Sequence, residues 1–306
     1  MRGKLSLRYQ IDSPLLTEQE IAQLLAAPPG VSGAARRPSR TGRPGERLSP
    51  RQGSGTDFAE PRAYQPGDDP RRLDWRATAR SGVPLVRTYH AEFSRPLCLV
   101  IDRRAGMRFG TRTRLKVTQA ARVALWLAGR ESRAGGELAA VLLDAPCQWL
   151  PPARGGRALR RLIDNAIAAG PPRLSDSAEP GWDRILAGLR GRLPPGAELV
   201  LISDFAGLQV RDESALRSIG RQFDCRAIRI ADPIELESMP PVSLHLLWND
   251  AAANVDGTDP AASTLFSSQL RAWEAFLERS FRRAGIPLET LSVAAEVPGS
   301  LRTTTA

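Results

Sequence analysis

The chain has 306 residues, 42% hydrophobic and 25% charged, with 43 basic against 33 acidic side chains and a formal net charge of +10. That length allows one large domain or two smaller ones, with a full apolar core. No apolar run approaches the ~18 residues of a membrane-crossing helix, two histidines exclude a histidine-rich metal site, and no Walker loop, G-x-G-x-x-G or G-x-S-x-G occurs.

Only Lys4 and Lys116 are lysines, so the basic charge is almost wholly arginine. The opening MRGKLSLRYQIDSP lacks an apolar stretch, and no signal peptide is expected. Cys98, Cys147 and Cys225 are far apart and odd in number. Reduced thiols, two of them in strands, are the simplest reading. The expectation is a cytosolic chain with no membrane insertion.

In chain order, PLLTEQEIAQLLAA (14–27) predicts a short helix with Thr17 and Glu20 as a capping box. Val31 to Thr56 carries six arginines against one acid and no aromatic residue, which predicts a disordered basic loop. Residues 57–95 interleave aromatics with paired charges, and Leu85–Glu92 alternates like a strand. From Pro96 strands and helices alternate: strands at 97–101, 137–143, 147–150, 198–203, 226–231 and 287–293, helices at 114–130, 156–169, around 182–189 and 216–223, and at 264–284. This rhythm predicts an α/β protein with a mostly parallel sheet covered on both faces.

Four of these strands finish in aspartate, at Asp102, Asp144, Asp204 and Asp232. In an open α/β sheet ligands bind beyond the carboxyl ends of the strands, where strand order reverses. Carboxylates there could hold a hard cation or act as acid and base. Turn formation and helix capping explain Asp144 and Asp232 as well.

The string R-x-Y-x-P-G-D-D-x-R-x-x-D-W-R-x-x-A-R (Arg62 to Arg80), the strand ending LVID, FGTRTRLKVTQAARVALWLA, LISDF and IADPIELESMP together resemble the bacterial domain of unknown function 58 family. The resemblance spans about residues 15–295. It implies a von Willebrand factor A-like doubly wound sheet over 96–295, preceded over 1–95 by an N-terminal helix, the 31–56 loop and a small β-containing segment, and followed by a flexible tail, 296–306. It also implies a protein-interaction adaptor or co-chaperone without enzymatic activity. The expected partners are a MoxR-type AAA ATPase and further von Willebrand A proteins.

Such domains hold Mg²⁺ with a D-x-S-x-S element, which here reads Asp102-Arg103-Arg104-Ala105-Gly106. Arg104 and Gly106 stand where the two serines would be, Asp204 matches the later aspartate, and no threonine match is found. A fixed guanidinium repels a divalent cation, so no metal and no cofactor are expected, weak Mg²⁺ at most. The expectation is that Arg103 or Arg104 bridges Asp102 and Asp204 in the ion's place.

In the Arg62–Arg80 string, Asp68, Asp69 and Asp74 alternate with Arg71, Arg72, Arg76 and Arg80 around Trp75. One reading is a buried ion-pair knot. The other is a docking surface in which Trp75 and Tyr64 are anchors flanked by Arg62, Arg71, Arg76 and Arg80. Residues 103–133 carry nine basic side chains and one acid, so positive potential gathers beside Asp102. Rival functions are nucleic-acid binding, for which no recognition motif is seen, and a Mg²⁺-dependent ligand-binding module.

Overall fold

Leu97–Asp102 (β3) is apolar at every position up to its final aspartate, and all six residues are buried. Its side chains sort by parity, as a strand requires. Leu97, Leu99 and Ile101 join one core layer, while Cys98 and Val100 join the other. Both faces of the strand are therefore covered. A computed structural model describes residues 15–27, 62–65, 73–86, 95–111, 113–167, 179–236, 243–248 and 251–297; the predicted 31–56 loop lies outside them.

The chain forms two units, one of Met1–Ala35 with Arg95–Ala306 and one of Arg36–Ser94. The larger contains a six-stranded sheet. Its strands are β3, Glu137–Leu143 (β4), Gln148–Arg154 (β5), Glu198–Ser203 (β6), Asp224–Ala231 (β7) and Leu288–Ser292 (β10), in the order β10-β7-β6-β3-β4-β5. All neighbours are parallel except β4 and β5. This is the doubly wound, mostly parallel α/β sheet expected. Strand order reverses between β3 and β6, which pair in parallel from Leu97↔Glu198 to Ile101↔Ile202.

Lys116–Arg133 (α3) and Gly155–Leu162 (α4), which continues as a wider turn over Ile163–Ile167, cover one face. Trp182–Leu189 (α5), Glu213–Gln222 (α6) and Pro260–Ala284 (α8) cover the other, and the one-turn helix Pro233–Leu236 (α7) comes shortly after β7. The N-terminal helix Glu18–Ala26 (α1) starts with the predicted capping box. It joins the sheet unit rather than the segment after it. Arg133 Nη1 donates to the Leu25 carbonyl at 2.5 Å, and a Cβ at Gly129 would lie 2.8 Å from Leu25 Cδ2. The sheet unit also extends past the predicted boundary at 295. Val297 is buried, and Glu296 accepts from Arg122 Nη2 at 2.7 Å.

Sequence reading missed the hairpin of Ser243–Trp248 (β8) and Ala251–Asp256 (β9). The second strand begins with three alanines, which are poor strand formers.

The smaller unit holds Arg62–Ala63 (β1), Trp75–Ser81 (α2) and Leu85–Val86 (β2). β1 and β2 pair antiparallel. Asp74 caps α2 by accepting from the Arg76 and Ala77 amides at 3.2 and 3.1 Å. Gly82, with φ 71°, ends it in the left-handed conformation that glycine adopts without strain.

Leu99 sits at the centre of the sheet with no exposure. Leu99→Ala is expected to lower stability by about 2–5 kcal/mol, read as a lower urea midpoint with an unchanged slope.

Candidate functional site

The carboxyl ends of β3 and β6 meet at the reversal of strand order. Asp102 closes β3 and is 1% exposed. Arg104, two residues on, turns back over it. Its Nε donates to Asp102 Oδ1 at 3.0 Å and its Nη2 to Oδ2 at 2.7 Å. The Arg104 amide also donates to Oδ1 at 3.0 Å, and Ser203 Oγ donates to Oδ2 at 2.5 Å. Two parallel guanidinium bonds make this the stronger kind of ion pair. Burial pulls the Arg104 guanidinium down, but Asp102 and then Asp204 and Glu179 hold it above its ordinary value. Its other face stacks on Trp182 at 4.6 Å, and the Trp182 indole N–H donates to the Ala206 carbonyl at 3.0 Å.

Asp204 follows β6 and has a different cation. Lys116, at the start of α3, donates from Nζ to Asp204 Oδ2 at 3.2 Å and to Glu235 Oε1 at 2.6 Å. Lys116 is buried. Burial lowers its pKa, yet the two carboxylates outweigh that and raise it above 10.5. The other oxygen of Asp204 accepts from the Ala206 amide at 2.9 Å. Phe205 stands between them at φ 60°, a strained conformation for a non-glycine residue. Its amide donates to Ser203 Oγ at 2.8 Å, and its buried ring packs on Trp182 and Phe281 at 5.5 and 4.7 Å.

The structure therefore splits the role expected of one arginine. Arg104 grips Asp102 and does not bridge to Asp204. Arg103 leaves in another direction, donating to the Asn165 carbonyl at 2.6 Å and lying 3.3 Å from Asp144. Burial lowers the Arg103 pKa and raises that of Asp144, in each case against the attraction of the partner. Asp232 organises a turn. It accepts from the Thr111 amide at 2.8 Å, the Thr111 hydroxyl and the Ile234 amide at 3.1 Å.

A Mg²⁺ ion would need near-octahedral oxygens at ~2.1 Å. Both Asp102 oxygens and both Asp204 oxygens already accept from the chain's own donors. Gly106 offers no hydroxyl, and a Cβ there would lie 3.4 Å from Asp204 Oδ2 and 3.7 Å from Ala206 Cβ. The residues present do not fit the ion. Among the described residues, no group of three His, Cys, Asp or Glu side chains is placed to hold a metal.

Of the signature residues, Asp68 and Arg71 lie outside the described residues. Trp75 is 70% exposed, with Arg76 and Arg80 also exposed and Tyr64 half-buried. The buried-knot reading does not describe Trp75. Arg62 pairs with Val86 in the two-stranded sheet. Lys116, Ser203 and Glu235 were not singled out from sequence. One signal was available: in a chain with two lysines, one stands at the head of the helix that faces the strand ends. Cys98 is buried in its strand as expected, whereas Cys147 is exposed just before β5 and Cys225 is the second buried strand cysteine; burial pushes the Cys98 and Cys225 thiols up, that of Cys225 to about 12.

Fold and site together define a doubly wound α/β protein whose switch-point carboxylates are held by its own side-chain cations. The family model "Protein of unknown function DUF58" matches residues 60–272, and the chain belongs to that family. Uncharacterized proteins of Mycobacterium tuberculosis and Mycobacterium bovis are each 31% identical in a 261-residue alignment that covers 81% of this chain and 78% of the relative. The protein BatB from Bacteroides thetaiotaomicron is similar in structure, with a TM-score of 0.41 and 7% identity over 64% of this chain and 90% of that one. An aerotolerance-related membrane protein from Bacteroides fragilis gives 0.38 and 8% over the same shares. The cytosolic placement expected from composition is corrected here. The Bacteroides fragilis protein and one from Vibrio fischeri are described as membrane proteins, and a cytosolic placement is not kept for this chain. Among the described residues, no helix is long and apolar enough to cross a membrane.

Arg104→Ala is expected to cost about 3–5 kcal/mol by leaving Asp102 buried without its cation; Arg104→Lys recovers only part of this, because an ammonium cannot make the two-pronged contact. Urea unfolding of both variants checks this. A second outcome concerns pH. Because the folded pKa of Lys116 is raised, its stabilisation is complete below 10.5 and is lost as pH climbs through the folded value. Lys116→Met is therefore less stable at neutral pH and lacks this part of the alkaline decline, as measured by thermal melts from pH 7 upward.

Proposed function

We propose that the chain is a non-enzymatic interaction module. Its docking surface is the crest formed by the loops after β3 and β6, and it works without a divalent ion. The observation that carries this is the paired neutralisation of Asp102 by Arg104 and Asp204 by Lys116. Ion-dependent recognition needs a carboxylate set with free oxygens; here the charge is balanced within the chain and the loop geometry is fixed in advance. The crest offers exposed Ala105, Gly106, Gly207 and Gln209, with Val210 71% exposed at its edge. Exposed small and apolar groups on a pre-ordered surface suit a protein partner.

The partner supported by the family resemblance is a MoxR-type AAA ATPase, with the chain acting as adaptor in the maturation or assembly of other proteins. The test is a binding titration of the purified chain against the MoxR-type ATPase of the same organism, nucleotide-free and in EDTA. Saturable binding weakened by Val210→Asp is expected. Binding that appears only on adding Mg²⁺, or no binding at all, overturns the reading. Calorimetry of the chain alone with Mg²⁺ is expected to give no sub-millimolar site; a site that vanishes in Asp102→Ala would contradict the ion-free mechanism.

A further inference from the structure

A second polar feature lies between the end of α5 and one stripe of α6 and shares no residue with the crest. A cleft of about 350 Å³ is lined by Arg190, Ser214, Arg217, Ser218, Arg221 and Gln222. Five of these share α6 at positions i, i+3, i+4, i+7 and i+8, so one helix face presents them together. The opposite stripe, Leu216 and Ile219, is buried in the core.

Two contacts hold the cleft walls in place. Gln222 Nε2 donates to the Arg190 carbonyl at 3.1 Å, tying α6 to the end of α5. Gly220 lets α6 approach α8 so closely that a Cβ there would lie 2.3 Å from the Ala284 carbonyl oxygen. The helix cannot slide to spread its arginines.

Every lining side chain is polar, three are guanidiniums and none is acidic. The nearby acid Glu213 lies 3.5 Å from Arg217 in the cleft and 3.5 Å from Arg283 outside it, and accepts from Ser280 Oγ at 3.1 Å, so it offsets part of the Arg217 charge and leaves Arg190 and Arg221 untouched. The volume falls within the ~300–1,000 Å³ of small-ligand sites, but the usual apolar lining is missing. An apolar ligand gains nothing here. Guanidinium forks match phosphate oxygens, and hydroxyls at Ser214 and Ser218 can donate to them. One phosphate carries about −1.5 to −2 charge, less than three guanidiniums even with Arg217 partly offset by Glu213, and two linked phosphates supply enough oxygens to meet all three forks.

We propose that this cleft binds a diphosphate-bearing anion. The site is independent of the crest and of the adaptor reading.

The test is calorimetry of the full chain with pyrophosphate, orthophosphate and ADP. Saturable binding of one pyrophosphate per chain is expected, tighter than orthophosphate and weakening as salt rises. The double variant Arg217→Gln, Arg221→Gln is expected to weaken it by about tenfold or more, with a melting curve showing that it folds. The control Arg282→Gln, on α8 and paired with Glu278, is expected to leave binding unchanged. ADP binding more weakly than pyrophosphate identifies a free diphosphate ligand, and ADP binding as tightly or more tightly identifies a nucleoside-borne one; either supports the site. Absence of saturable heat, orthophosphate binding as tightly as pyrophosphate, an equal loss in Arg282→Gln, or an undiminished signal in a folded double variant overturns the proposal.

Discussion

The Arg104–Asp102 pair is the contact on which the switch point depends. A carboxylate at the end of a central parallel strand loses nearly all its water, and several kcal/mol of hydration must be replaced. Asp102 replaces it with two guanidinium bonds, one backbone amide and the Ser203 hydroxyl. Arg104 is only two residues away in sequence, so little chain entropy is lost in closing this loop. The same guanidinium lies on Trp182, a side chain from the helical layer beneath. The pair thus joins strand end, following loop and α5 in one contact.

That junction explains how the second loop is set. Trp182 touches Phe205 and bonds the Ala206 carbonyl. Phe205 is held in a left-handed conformation by burial of its ring and by Ser203, the residue that also serves Asp102. Strain of this kind, of order 1–3 kcal/mol, persists only where the surroundings over-determine it. The loops after β3 and β6 are therefore positioned by one network rather than independently. A partner docking on the crest as proposed would meet a surface already ordered, which would reduce the entropy lost on association.

Most of the sheet could be read from sequence because its signals are local. LCLVI, ELAAVLL and ELVLIS are short apolar runs that suit strands buried on both faces, and the Leu159-Leu162-Ile163 spacing marks a helix stripe. The β8–β9 hairpin escaped because alanine carries little strand signal. Asp102, Arg104 and Asp204 were legible as a charged cluster, since strand ends converge in this topology. The partition of cations was not. Which arginine folds back is decided by the turn after β3, where Arg104 lies over Trp182 and Arg103 reaches Asn165, and no periodicity encodes that choice. The buried-knot reading failed at Trp75 because α2 is too short to provide a face that covers it.

The use of lysine at 116 follows from the shape of its site. Asp204 and Glu235 approach from different elements and place one oxygen each near a single point. A planar guanidinium is suited to two oxygens of one carboxylate, as at Asp102, and where Arg122 serves two separate acids, Glu20 and Glu296, it uses a different nitrogen for each. An ammonium is a compact charge with three rotatable donors, so it can serve both from one position. Phe109, 5.4 Å away, adds a ring to the same pocket. In a chain that otherwise uses arginine almost everywhere, the change of residue type marks a place where geometry, not charge alone, sets the requirement. The two cations are therefore not interchangeable, and each is matched to the carboxylate arrangement it neutralises.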